Sequence, residues 1–70
     1  MSKTHTALTR IPTAEGAPYV AVFNIGNIIE LSPNFKGDGT TCWMKYWDGS
    51  TVRSSMLQGT VEENMDIIND

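Results

Sequence analysis

Residues 40–55 read TTCWMKYWDGSTVRSS, and this stretch decides the fold. Thr40 to Trp47 is dense in aromatic and β-favouring side chains, Asp48-Gly49 is a turn signal, and Ser50 to Ser55 resumes a polar and apolar alternation, so the segment predicts a β-hairpin. With Asp48 and Gly49 as a two-residue loop, Trp47 faces Ser50 and Lys45 faces Val52. One face then gathers Trp43, Lys45, Trp47 and Val52, and the other gathers Cys42, Met44, Tyr46, Thr51 and Arg53. Both faces are partly apolar. One is expected on the core and the other against a partner subunit or ligand. The alternative places both tryptophans in the core, since large aromatic side chains dominate small cores.

Working outward, Ala7 to Ile11 predicts a short strand that Pro12 ends or confines to a sheet edge. Thr13 to Pro18, TAEGAP, reads as a loop. Tyr19 to Phe23, YVAVF, is almost wholly apolar and predicts a strand buried on both faces. Asn24 to Asn27 turns the chain, and Ile28 to Leu31 predicts a third strand closed by Ser32-Pro33-Asn34. Met1 to Thr6 lacks apolar content and predicts a frayed start, which makes His5 a surface histidine.

Beyond the hairpin, Met56 to Gly59 reads as a connector and Thr60 opens a helix over residues 60–69. Thr60-Val61-Glu62-Glu63 fits a capping box, and both glutamates lie where the helix dipole favours negative charge. Val61, Met65 and Ile68 form one apolar stripe that can close over a sheet. The fold class expected is α+β and mostly β, a single small domain with an antiparallel sheet of four or five strands over residues 7–55 and one C-terminal helix.

Seventy residues lie near the lower limit for a chain that folds without metals or disulfides, so a homo-oligomer is expected. Cys42 is the single cysteine. It cannot form an internal disulfide, and an intracellular, reducing location such as the cytoplasm is the expectation that follows. No apolar run is long enough to span a bilayer, and no signal-peptide pattern is present.

Charge is uneven. Residues 1–36 carry a net +1 and residues 37–70 a net −4, which makes the chain acidic at −3. Without a basic stripe to neutralise a phosphate backbone, direct nucleic-acid binding is not expected. The acidic end is either a solvated helix face or a surface aimed at a basic partner, with Glu62 and Asp66 sharing a face at i and i+4.

Enzymatic constellations are nearly missing. Cys42 has no nearby histidine in sequence, Ser54 and Ser55 have no evident base, and Phe35 to Gly39 (FKGDG) lacks the GKS or GKT of a phosphate loop. No cofactor or metal is expected. The better candidate is the set Trp43, Lys45, Trp47 and Arg53, in which aromatic planes can stack on a base and cations can meet phosphate. Arg53 projects from the opposite face, so one continuous pocket from all four requires a dimer or a slipped register.

Phe23-Asn24 followed by Ile28 and Leu31, then Pro33, a glycine-containing gap, an apolar strand, Asp48-Gly49, a second strand and a Val61-Glu62-Glu63 helix resembles a family pattern. It is similar to the FlbD-type small flagellar proteins and the short phage proteins that share their signals: VN-x-x-x-I-x-x-I, a DG or NG hairpin, and a closing S-V-E-E-V helix. The likeness runs from about Tyr19 to Ile68. Ile25-Gly26 replaces the family's proline after the asparagine, and Trp43 and Trp47 add aromatic mass to the hairpin. The resemblance implies a small antiparallel sheet with a C-terminal helix, and it carries no catalytic residue onto this chain.

Two functions fit. The first is a non-enzymatic binding protein, a phage-type accessory or inhibitor that occupies a bacterial host protein or sequesters a small nucleotide-like ligand, for instance against antiviral defence. The second is a FlbD-like flagellar structural or regulatory accessory. In either case the contact residues expected are Trp43, Lys45, Trp47 and Arg53, with Glu62 and Asp66 next if the partner is basic.

Overall fold

A computed structural model describes residues 3–12 and 16–70. Five strands are present: β1 (His5–Ile11), β2 (Tyr19–Asn24), β3 (Ile28–Pro33), β4 (Thr41–Trp47) and β5 (Val52–Gln58). A 3-10 turn over Ile25–Asn27 separates β2 from β3, and one helix, α1 (Val61–Asn69), follows the sheet. The strands form one sheet in the order β2-β1-β5-β4-β3, with every neighbouring pair antiparallel. The α+β, mostly β architecture expected from the sequence is the one observed.

The connection between β2 and β3 is the unusual feature. It joins the two opposite edges of the sheet with three intervening residues. From Asn24 to Ile28 the chain can reach about 14 Å, whereas four inter-strand gaps in a flat sheet amount to about 19 Å before any offset along the strands. The sheet must therefore curl until its edges approach. Contact between Phe23 on β2 and Tyr46 on β4, at 5.5 Å between ring centroids and edge to face, shows the result.

Curling gives the sheet an inside and an outside. Leu8, Cys42, Met44 and Leu57 are fully buried on the concave side, with Phe23, Ile28, Leu31, Tyr46, Val61 and Ile68 packed around them. Burial of Leu8, Met44 and Leu57 contributes about 2 kcal/mol each.

The hairpin has its predicted faces but not its predicted register. Asp48 to Thr51 forms a four-residue loop, and the pairs are Trp47 with Val52, Lys45 with Ser54 and Trp43 with Met56. Asp48 causes the shift. Its Oδ1 accepts from the backbone amides of Ser50 (2.8 Å) and Thr51 (2.9 Å), and its own amide donates to the Thr51 carbonyl. Gly49 takes the positive φ of 105° that this loop requires. A shift of two residues preserves side-chain parity, so Trp43, Lys45, Trp47 and Val52 still share a face and Arg53 still lies opposite.

Three other expectations are corrected. The sheet begins at His5 and ends at Gln58, so His5 and Thr6 are not part of a frayed start, and Met56 to Gln58 belong to β5 rather than to a connector. β2 is an edge strand, and Val20 and Val22 are 67% and 68% exposed rather than buried. Its apolar run specifies a strand but not a central one. Of the expected loop at Thr13 to Pro18, Thr13, Ala14 and Glu15 lie outside the described residues, and Gly16 to Pro18 are non-regular.

The helix forms as its sequence dictates. Thr60 is the N-cap, its hydroxyl accepts from the Glu63 amide, and Glu63 accepts from the Thr60 amide, which completes the capping box. At the other end Lys3 donates to the Ile67 carbonyl, placing a cation where the helix dipole is negative. The buried helix residue is Asn64, while Met65 of the expected apolar stripe is turned out. Asn64 Nδ2 donates to the carbonyls of Gln58 (3.1 Å) and Thr60 (2.9 Å) and lies 3.5 Å from Cys42 Sγ. One amide thus ties the helix, the β5 end and the β4 core together. Gly59, at φ 98°, makes the turn between β5 and α1, and a Cβ there would meet Asn64 Nδ2 at 3.2 Å.

Removing that amide deletes the side-chain hydrogen bonds to the Gln58 and Thr60 carbonyls, the second of which still accepts from the Asn64 backbone amide. Asn64→Ala is expected to lower unfolding stability by about 1–3 kcal/mol, measured as the urea midpoint. An exposed helix control, Asp66→Ala, is expected to change it little.

Candidate functional site

The convex face of the sheet carries the sequence-predicted aromatic set. β4 points Trp43, Lys45 and Trp47 outward, because Cys42, Met44 and Tyr46 point in. Register places Ile11, Met56, Trp43 and Ser32 in one row across four strands, with Ser54, Lys45 and Glu30 in the next row and Val52 beside Trp47 beyond it. Trp47 is 42% exposed and Trp43 is half-buried. The helix closes the concave side, so no element among the described residues covers this outer row of side chains.

Phe35 enlarges the surface. It follows β3, is 89% exposed, and with Lys36, Trp43 and Met56 lines an open crevice of about 580 Å³. A lone phenylalanine in a glycine-containing loop gave no sign of this in the sequence, since nothing local says which strand the loop crosses. The only ion pair among the described residues is Arg53 with Asp48. Lys45 is exposed and forms no ion pair with Glu30, its cross-strand neighbour.

Arg53 lies elsewhere. It is at the end of the curled sheet opposite the helix, where its Nε donates to Asp48 Oδ2. Arg53 and the loop amides hold the Asp48 carboxyl well below the usual carboxylate range, with the arginine the largest cause. In return Asp48 raises the Arg53 guanidinium above its ordinary value. Close to Arg53 the structure brings Arg10, Tyr19 and Tyr46, none of which the sequence singled out, around a second crevice of about 530 Å³. Glu62 and Asp66 are both exposed on α1. Neither lines the crevice that holds Trp43.

Cys42 is sealed. It has no exposed surface, and burial pushes its thiol up, only partly opposed by Asn64. A raised, inaccessible thiol is a core residue and not a nucleophile. His5 bonds to the neighbouring Thr4 hydroxyl. Among the described residues no group of three or more histidine, cysteine, aspartate or glutamate side chains converges as a metal site, and no helix is long and apolar enough to cross a membrane.

Comparison with family models, with curated proteins and with solved structures returned no match. The functional reading therefore stands on the geometry.

The lowered Asp48 carboxyl makes hairpin stability pH-dependent with a definite sign. Its folded value lies below the ordinary 3.8, so its stabilising effect is complete above that value and drains away as pH falls through the folded value. Wild type is expected to lose more stability than Asp48→Asn between about pH 5 and about pH 2, read from urea midpoints across that range.

Proposed function

We propose that this chain is a non-enzymatic binding protein, a phage-type accessory or inhibitor that occupies a bacterial host protein, as in antagonism of antiviral defence. The observation that carries this reading is the outer face of the sheet, where Trp43, Trp47, Val52, Met56 and Phe35 lie on the side that the helix does not cover. Exposed apolar clusters of this kind, here Trp43 with Met56 and Trp47 with Val52 on either side of the polar Lys45 row, mark interaction sites, and tryptophan is enriched among the residues that dominate binding energy. Lys36 and Lys45 border it, so the partner presents an apolar side chain flanked by acidic ones. Self-association belongs to the same proposal, with β2 as the edge that a second copy extends, since an apolar edge strand offers unpaired backbone groups.

Contact is favoured over catalysis because Cys42 is buried and protonated and because His5 sits at the start of β1, away from the crevices described above. The second reading, a flagellar accessory of FlbD type, is supported by the match between the fold that the resemblance implies and the sheet and helix observed. Neighbouring genes separate the two: phage genes favour the first and flagellar genes the second.

The test is recovery of a partner from a bacterial host by the tagged full-length chain, wild type against Trp47→Ser with Phe35→Ser. Both side chains are exposed, so the double variant should unfold with unchanged cooperativity. It should retain the captured host protein at least about tenfold less well. Equal retention by the two chains, or nothing retained by wild type, contradicts the outer-face reading; loss of cooperative unfolding on Trp47→Ser makes that tryptophan a core residue.

A further inference from the structure

Arg10 sits on the concave side of β1, opposite Tyr19 on β2 and Leu57 on β5. Its guanidinium carbon lies 5.7 Å from the ring centres of Tyr19 and Phe23 and 6.0 Å from that of Tyr46. Three aromatic faces around one cation stabilise it electrostatically, but they do not satisfy its hydrogen-bond donors. Nε donates to Ser55 Oγ at 2.8 Å, and Ser55 is buried. Among the described residues this is its one side-chain hydrogen bond, and no carboxylate pairs with it.

Arg53 repeats the arrangement from the other wall. Its Nε is held by Asp48, as that of Arg10 is held by Ser55, so each guanidinium plane is oriented through Nε while its terminal nitrogens have no partner among the described residues. Asp48 offsets the charge of Arg53, and Arg10 supplies the net positive charge of the crevice. The space exists because β1 leaves β5. Strand pairing stops at Ile11 with Met56, Pro12 follows, and among the described residues the β1-facing edge of Val52 to Ser55 has no strand partner. Among the described residues no acidic side chain lines the resulting crevice, although the whole chain is acidic.

We propose that the Arg10, Tyr19, Tyr46 and Arg53 crevice binds a small organic phosphate that carries a flat ring, a ligand of the mononucleotide class. Terminal guanidinium nitrogens from two walls, with the Ser54 hydroxyl on the rim, meet several oxygens of one phosphate better than the two of a carboxylate. The half-exposed Tyr19 ring offers a face for the base. A crevice of about 530 Å³ falls within the range that encloses small molecules. Val52, Ser54 and Met56 of the outer face also border this crevice, but Arg10, Tyr19, Tyr46 and Arg53 lie on the other side of the sheet, and the variants that test the two proposals are different residues.

Calorimetric titration of the full-length chain with adenosine 5′-monophosphate, adenosine and inorganic phosphate tests it. Adenosine monophosphate should bind, with adenosine and phosphate each weaker by about tenfold or more, because the ring and the anion are both held. Arg53→Gln and Tyr19→Ala change residues at the crevice rim, so both chains should still fold cooperatively, Arg53→Gln with a modestly lower melting temperature from loss of its pair with Asp48, while affinity drops about tenfold to a hundredfold. Arg10→Lys keeps the charge but loses the planar fork and should weaken binding similarly; if that chain fails to fold, the two rim variants decide. Phosphate binding as tightly as the nucleotide overturns the ligand class. No heat with any of the three ligands, or equal affinity in wild type and both rim variants, overturns the site and leaves Arg10 as an aromatic-capped plug of the sheet.

Discussion

Three residues, Ile25 to Asn27, join the two outermost strands of a five-stranded sheet, and the rest of the structure depends on that short connection. A flat sheet cannot be bridged so briefly, so this one curls. Curling brings Phe23 against Tyr46, encloses Leu8, Cys42, Met44 and Leu57, and leaves two open ends and a convex exterior. A small chain thereby assembles a core that a flat sheet and one nine-residue helix could not enclose.

The two ends are closed by different chemistry. At one, α1 docks through Val61 and Ile68, with the buried Asn64 side chain hydrogen-bonded to the Gln58 and Thr60 carbonyls. At the other, Arg10 lies among Tyr19, Phe23 and Tyr46. An amide whose donor is satisfied makes a tight seal. A guanidinium with terminal donors to spare makes an open one, which is why chemistry concentrates at that end. Among the described residues the exterior has no such closure, because the helix serves the concave side.

Much of this was legible in the residues. Alternation along Thr41 to Trp47 separates Trp43, Lys45 and Trp47 from Cys42, Met44 and Tyr46, and that partition survives a two-residue error in register because strand parity has period two. The capping box at Thr60 is a local interaction and reads directly from the sequence. Strand order is not local. The apolar run at Tyr19 to Phe23 looks central but lies at an edge, since neither strand order nor the curl can be inferred from the run itself. Asn64 escapes a search for apolar stripes because its burial depends on carbonyls supplied by Gln58 and Thr60. Arg10, Tyr19, Tyr46 and Arg53 converge only after β1 is placed between β2 and β5, and Phe35 reaches Trp43 and Met56 only after the β3–β4 loop is placed.

The central claim is that the outer face of the sheet is uncovered in the isolated chain. Tryptophan fluorescence tests it most directly, using a Trp43→Phe chain in dilute solution so that Trp47 is the only emitter and self-association is suppressed. Exposure of Trp47 predicts red-shifted emission and acrylamide quenching close to that of the urea-unfolded chain. Blue-shifted emission that acrylamide barely quenches, regaining the unfolded spectrum only in urea, would place Trp47 in a core and contradict the account.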